Sequence, residues 1–519
     1  MNTSVYKSDK KVDYAGLIVA ILALFNILIH ILPSFNLEYH RDELLYFSLG
    51  MHPAFGYATV PPLTGWMAWL AQLLFGHSLF AVRIFPALAS GLIVFLVAAI
   101  ARELGGSGYA RILAATGIII SIIGLRTFLM FQPVYLDLMF WTLSFYLIIK
   151  FINTGSGKWL ILFGICAGFA LLNKYLIGIL FGLIFVIVPF TRHRTVYRNK
   201  YLWYGILAGF LVFMPNLIWQ IANHFPLVRH MAELERTQLV NVDRISFLIE
   251  QLLISGLATF LTVGGVIWLL TDKNVAKFRF IGVVTLSVIL VLMILRGKTY
   301  YTQGIYPMLM AAGAVSWERT LRKTWMKLAF ILFLPAMTLP FVPIGIPIYK
   351  QQKLVSYFAK IRSRYGMDFV TRFEDNSIHS LPQDYADMLG WEELTAITAK
   401  AWDTLRVKKA AFIYCENYGQ AGAITVIGKK YGLPEAVSFN ESFRYWYPKS
   451  FDPDITTVIY INSELGKDVQ ATFRKIIVAG KISNPDAREY GTTVYVCQDP
   501  VDSFNKFWTD RLQLLNREK

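Results

Sequence analysis

Stretches apolar enough to cross a bilayer recur through the first 350 of the 519 residues and then stop. A spanning helix needs about 20 mostly apolar residues to cross roughly 30 Å of hydrocarbon. The pattern therefore restricts the chain to a polytopic α-helical membrane protein. Eleven stretches fit the reading of about 11 transmembrane helices: 14–33, 83–101, 112–129, 132–150, 159–173, 175–191, 201–220, 246–270, 278–295, 303–317 and 327–348. The chain is 55% hydrophobic and only 16% charged, where soluble domains carry about a quarter charged residues. That excludes a disordered chain, a disulfide scaffold and an ordinary soluble enzyme.

The net charge of +16 by itself fits a nucleic-acid or a membrane partner. Its distribution favours membrane topology and no nucleic-acid partner. With the N-terminus inside, the inside loops hold eighteen Lys and Arg, beginning with Lys7, Lys10 and Lys11, and the outside loops hold nine. The first stretch lacks a small-residue cleavage site and reads as a retained anchor. Leu63–Phe75 has 13 residues after Pro61-Pro62, too short to span, and reads as a helix lying on the outer surface. An odd number of spans then puts the C-terminus outside. The expected organisation is a cytoplasmic segment 1–13, a transmembrane catalytic domain 14–348 with a first outside loop 34–82, and an outside domain 349–519.

From Tyr349 onward the apolar runs shorten to strand length at Ala410–Tyr414, Thr456–Ile461 and Thr492–Cys497. Helix-like stretches lie between them at Asp387–Leu405 and Tyr418–Tyr431. This predicts a C-terminal soluble α/β domain. Gly419-Gln420-Ala421-Gly422 sits between strand and helix, where either a phosphate-binding turn or the plain start of a helix belongs. Cys415 and Cys497 end two of the strands, as a disulfide pair or as buried free thiols; with Cys166 they are too few for a framework.

Candidate chemistry collects at the outer ends of the spans. Asp42 and Glu43 follow Arg41 in HRDELLYF, either as reactive carboxylates or as helix-capping charges. Asp137 lies inside an apolar stretch, where an ionisable side chain is costly and marks a functional site unless it pairs structurally with Arg126 or Arg83. Two carboxylates on one membrane face suit general acid–base chemistry. Lys174, Arg229, His230 and Lys298, with Tyr300 and Tyr301, form a group of cations and phenols suited to a lipid phosphate, or to snorkelling at the headgroups. The eight histidines show no HxxxH or HxH spacing, so no metal site is expected; the alternative is a site assembled across the outside loops, where His40, His52, His77, His224 and His230 fall.

HRDELLYF, PPLTGW, VRIFPALASGL, PVYLDLMFW, LLNKYLIG, PNLIWQIANHFP and RGKTYY together resemble the GT-C glycosyltransferases of the dolichyl-phosphate-mannose protein mannosyltransferase superfamily. The bacterial lipid A aminoarabinose transferases belong to this group. The resemblance covers essentially residues 14–348. It implies a cofactor-free enzyme of the cytoplasmic (inner) membrane. Such an enzyme passes a sugar from a polyprenyl-phosphate-linked donor to a lipid, glycan or protein acceptor at the outer face, without metal and with inversion. Asp42 then matches the family's essential first-loop Asp, Glu43 completes the acidic pair, and Asp137 matches the second Asp. The aminoarabinose transferases carry a Lys directly before the Pro-Pro pair. This chain has Thr59-Val60 there, which leaves donor phosphate to Lys174, Arg229 or Lys298. A polytopic transporter is the alternative; it usually shows internal repeats and broken midplane helices, and no repeat is visible here.

Overall fold

The computed structural model describes residues 13–237 and 239–517. Among them, six helices are long and apolar enough to cross a membrane: Tyr14–Phe35, Leu79–Glu103, Pro133–Thr154, Lys200–Ala222, Lys273–Ile294 and Thr324–Gly345. The number rises to seven if the pair Arg244–Leu253 and Gly256–Thr271, bent by 92°, is a single span. The chain is a multi-pass membrane protein, but the expectation of about eleven spans is overturned.

The other five stretches fail through backbone breaks that a count of apolar residues does not register. The 112–129 stretch is a 13-residue helix, Gly108–Ile120, stopped by Ser121 in an extended conformation; the Ser121 hydroxyl then caps the next short helix at Gly124. The 159–191 region is cut at Lys174, whose extended backbone separates Lys158–Asn173 from Tyr175–Phe190. The bent pair turns at Gly256, whose φ of 56° an L side chain rarely adopts. The 303–317 stretch opens as a 3-10 turn before the helix Tyr306–Thr320, and residues 306–315 are all buried inside protein. Interior packing and lipid contact demand the same apolar side chains, so these stretches resemble spans in sequence. The parity argument that set the C-terminus opposite the N-terminus falls with the count. Lys7, Lys10 and Lys11 lie outside the described residues.

Small residues let the membrane helices approach closely. Gly164 and Gly168 of Lys158–Asn173 face Gly205 and Gly209 of Lys200–Ala222; a Cβ on Gly164 would lie 1.9 Å from the Gly205 carbonyl oxygen.

The C-terminal region contains a four-stranded sheet in the order β1-β2-β4-β3: β1 Ala411–Cys415, β2 Thr457–Asn462, β3 Phe473–Lys481 and β4 Thr493–Pro500. β1 and β2 are parallel; β2–β4 and β3–β4 are antiparallel. The strand missed in the sequence, β3, is an edge strand with Arg474, Lys475 and Lys481 along it, and such charge is typical of protected edges. Cys415 and Cys497 are both free and buried. They belong to separate cores, with β2 running between their strands, so the disulfide alternative is closed.

Candidate functional site

The site is built on a nine-residue helix, Arg41–Leu49, in the loop after the first span. Its N-cap is His40, not Asp42 or Glu43. The His40 ring accepts from the Asp42 N–H at 3.1 Å through Nδ1, and the Glu43 carboxylate accepts from the His40 N–H at 2.8 Å. This reciprocal capping satisfies two helix-end donors and fixes the roll of the helix, so the adjacent acids point apart.

Glu43 points into the protein and is fully buried. Its Oε1 accepts from Arg83 Nε and the Phe131 N–H, both at 3.1 Å; its Oε2 accepts from Arg83 Nη2 at 2.9 Å and from the His40 N–H. These four bonds use about all the lone-pair directions a carboxylate has. Arg83 spends its remaining donors on the carbonyls of Ser34 and Glu38. The geometry gives Glu43 a framework part: it ties the loop to the helix Leu79–Glu103.

Asp42 points the other way and is only partly buried. Its Oδ1 accepts from the Tyr418 hydroxyl at 2.8 Å and its Oδ2 from Gln132 Nε2 at 3.1 Å. Arg41 lies over the Tyr418 ring at 4.4 Å. Burial and the nearby Asp42 charge push the Tyr418 phenol well up, so it stays a donor.

Gln132 immediately precedes the helix Pro133–Thr154, which carries Asp137 five residues further on. Asp137 is buried; its Oδ1 accepts from Trp141 Nε1 at 3.1 Å, and Lys174 Nζ lies 3.9 Å from its Oδ2. Neither Arg83 nor Arg126 is its partner: Arg83 holds Glu43, and Arg126 pairs with Asp384. The break that shortens the Lys158–Asn173 helix is what presents Lys174, and Asn173 pins that break by donating to the Pro133 carbonyl at 2.8 Å. The Lys174 ammonium sits 5.2 Å from the ring centres of both Tyr300 and Tyr301. Burial pushes the Tyr300 phenol up, with Tyr301 and the negative charges of Asp42 and Glu374 adding to it.

The remaining candidates lie farther out. Lys298, half-buried, faces the exposed Glu374 at 3.8 Å. Arg229 is exposed and His230 half-buried on the helix Pro226–Thr237. Their charges reach Tyr445 and Glu441. Among the described residues, no three His, Cys, Asp or Glu side chains form a group able to hold a metal ion.

Four participants escaped sequence reasoning: Gln132, Tyr418, Thr59 and Glu441. Thr59 donates to Glu441 Oε2 at 2.6 Å, and Glu441 holds a left-handed φ of 49°. Burial pushes the Glu441 carboxyl up, opposed by the Thr59 hydroxyl and by the positive charges of His230 and Arg444. A raised folded-state pKa means that the stabilising contribution is full below the unfolded value and is lost as pH rises through the folded one. Glu441→Gln is thus expected to raise the thermal unfolding midpoint at neutral pH. The gain should close near pH 4, and an equal gain at both pH values would contradict the assignment. The only available signal for these residues was position: Gln132 before a helix-starting Pro, and Tyr418 beside the GQAG segment.

The sequence profile of the dolichyl-phosphate-mannose-protein mannosyltransferases matches residues 59–219, a stretch that includes Asp137 and Lys174 but not Asp42. The undecaprenyl phosphate-alpha-4-amino-4-deoxy-L-arabinose arabinosyl transferase 1 of Sodalis glossinidius is 28% identical over 227 residues, 40% of this chain and 40% of that protein. The chain thus spans less than half of that curated relative. Among solved structures, ArnT from Cupriavidus metallidurans bound to undecaprenyl phosphate superposes with a TM-score of 0.58 at 14% identity, over 93% of this chain and 97% of that one. The apo form of the same protein gives 0.56 at 13%, over 93% and 98%. The shared fold extends through the C-terminal region as well as the membrane helices.

Proposed function

We propose that this chain is a membrane glycosyltransferase of the GT-C type using a polyprenyl-phosphate-linked sugar donor, a reading supported by its sequence likeness to the dolichyl-phosphate-mannose-protein mannosyltransferases over residues 59–219 and by the fold it shares with ArnT. The observation that carries the reading is the position of Asp42. It is a part-buried carboxylate held by two neutral donors; one of them, Gln132, immediately precedes Pro133, whose carbonyl anchors Asn173 next to Lys174, and Lys174 lies over two tyrosines.

Asp42 takes the proton from an acceptor hydroxyl as that oxygen attacks the anomeric carbon. The bond from that carbon to the phosphate oxygen breaks, and the lipid phosphate leaves with the electron pair. Lys174 stabilises the charge on the departing phosphate, with Arg229, His230 and Lys298 on the approach to it. A single displacement of this kind inverts the anomeric centre. Asp137 keeps Lys174 in place between the tyrosines. The acceptor is a lipid, glycan or protein hydroxyl.

The reaction belongs on the outer face of the inner membrane. The helix bearing Asp42 follows the first span directly, and the C-terminal region docks on that helix. Both therefore share one side, whatever the total number of spans.

Undecaprenyl phosphate bound in the ArnT structure supplies the probe. Purified chain in nanodiscs should bind undecaprenyl phosphate, and Lys174→Met should weaken that binding about tenfold or more, as expected for loss of a charge-assisted contact. Calorimetric titration reads both. An unmodified protein that does not bind undecaprenyl phosphate would remove the reading.

A further inference from the structure

Gly419-Gln420-Ala421-Gly422 is a contact surface. Asn417 caps the helix Tyr418–Val426 by accepting from the Gln420 N–H at 3.0 Å, which takes one of the helix-end donors. The two glycines turn their bare faces to the helix Arg41–Leu49. A Cβ on Gly419 would stand 2.9 Å from Arg41 Cγ, and one on Gly422 would stand 2.8 Å from Leu44 Cβ and its backbone carbon. Nothing larger than glycine lets the two helices approach this closely.

Backbone bonds reinforce the docking. The Glu38 N–H donates to the Met388 carbonyl and the Arg41 N–H to the Asp387 carbonyl, each at 3.0 Å. The Glu392 N–H donates to Glu38 Oε2 at 2.9 Å. The first residue of the glycine-bearing helix is Tyr418, whose hydroxyl reaches Asp42.

We infer that Tyr418 is a positioning residue for Asp42, so that the C-terminal region is part of the transfer site and not a separate module. This rests on the reading of Asp42 as the base. The carboxylate has one orienting donor from the membrane part, Gln132, and one from the C-terminal region, Tyr418. Together they aim its free lone pairs at an incoming hydroxyl. The Tyr418 phenol is held protonated by burial, so it stays a donor to the carboxylate. The close glycine contact sets the distance between the two helices and hence the 2.8 Å bond.

The experiment uses the full chain in nanodiscs, with the polyprenyl-phosphate-sugar fraction extracted from native membranes as donor. Total lipid of a strain lacking the gene serves as acceptor, and released undecaprenyl phosphate is measured by mass spectrometry. Tyr418→Phe should lower kcat about 10- to 100-fold. KM for the donor fraction, binding of undecaprenyl phosphate and the thermal midpoint should stay within about twofold or 2 °C of the unmodified protein. Gly422→Leu, which keeps the Tyr418 hydroxyl but moves it away from Asp42 by separating the helices, should lower kcat in the same way. Combined with Asp42→Asn, Tyr418→Phe should cost nothing further. Unchanged kcat in Tyr418→Phe overturns the proposal. So does a loss carried wholly by KM or by a fallen thermal midpoint. Failure of the unmodified protein to bind undecaprenyl phosphate or release it from the donor would instead count against the glycosyltransferase reading.

Discussion

Asp42→Asn is expected to leave the protein folded and membrane-inserted while lowering sugar transfer roughly 10²- to 10⁴-fold, the range general-base catalysis contributes. The amide is nearly isosteric and still accepts from one of the two donors through its oxygen. Its NH2 group then faces Tyr418 or Gln132, where the hydroxyl oxygen or the turned amide oxygen can accept from it, so the fold is kept while no basic oxygen remains for the acceptor proton. Binding of undecaprenyl phosphate should be retained, because the ammonium assigned to the phosphate is paired with Asp137 and not with Asp42. The decisive comparison is single-turnover transfer against undecaprenyl phosphate affinity in one preparation. A variant with transfer intact would place the base elsewhere.

The second large effect is structural. Arg83→Met leaves Glu43 buried with its charge and without its bidentate partner, and removal of one member of a buried pair costs about 3–5 kcal/mol. It also leaves the carbonyls of Ser34 and Glu38 without their guanidinium donor. A marked fall in thermal midpoint, with loss of assembled protein, is expected. Glu43→Gln added to Arg83→Met should recover part of the loss, since a neutral amide in the same cavity costs less than an unpaired carboxylate. Recovery of transfer in the double variant would establish that Glu43 shapes the site and takes no proton. Collapse of both variants to the same degree would contradict the ion-pair account.

How much of this was legible in the sequence depended on whether the signal was local. The apolar stretches located six helices long enough to cross, and three of the four strands stood out as short apolar runs. Five further stretches were misjudged because Ser121, Lys174 and Gly256 break the backbone without interrupting hydrophobicity, and because residues 306–315 are apolar for protein packing. The Asp-Glu pair was visible as a pair, but its division of labour was not. That depends on His40 acting as cap and on Arg83, forty residues away, receiving Glu43. Tyr418 lies 376 residues from Asp42, and no periodicity or spacing connects them.

The contact between the glycine face and the site helix also limits how such chains can be recombined. A C-terminal region exchanged at the composition change near residue 349 would arrive with its own partner for the helix at 41–49. Unless the incoming surface kept glycines opposite Leu44 and Arg41 and a phenol opposite Asp42, the graft would fold beside the membrane part and leave the carboxylate misaimed. The heritable unit is therefore the pair of segments 38–49 and 387–422, which lie far apart in the sequence and must change together.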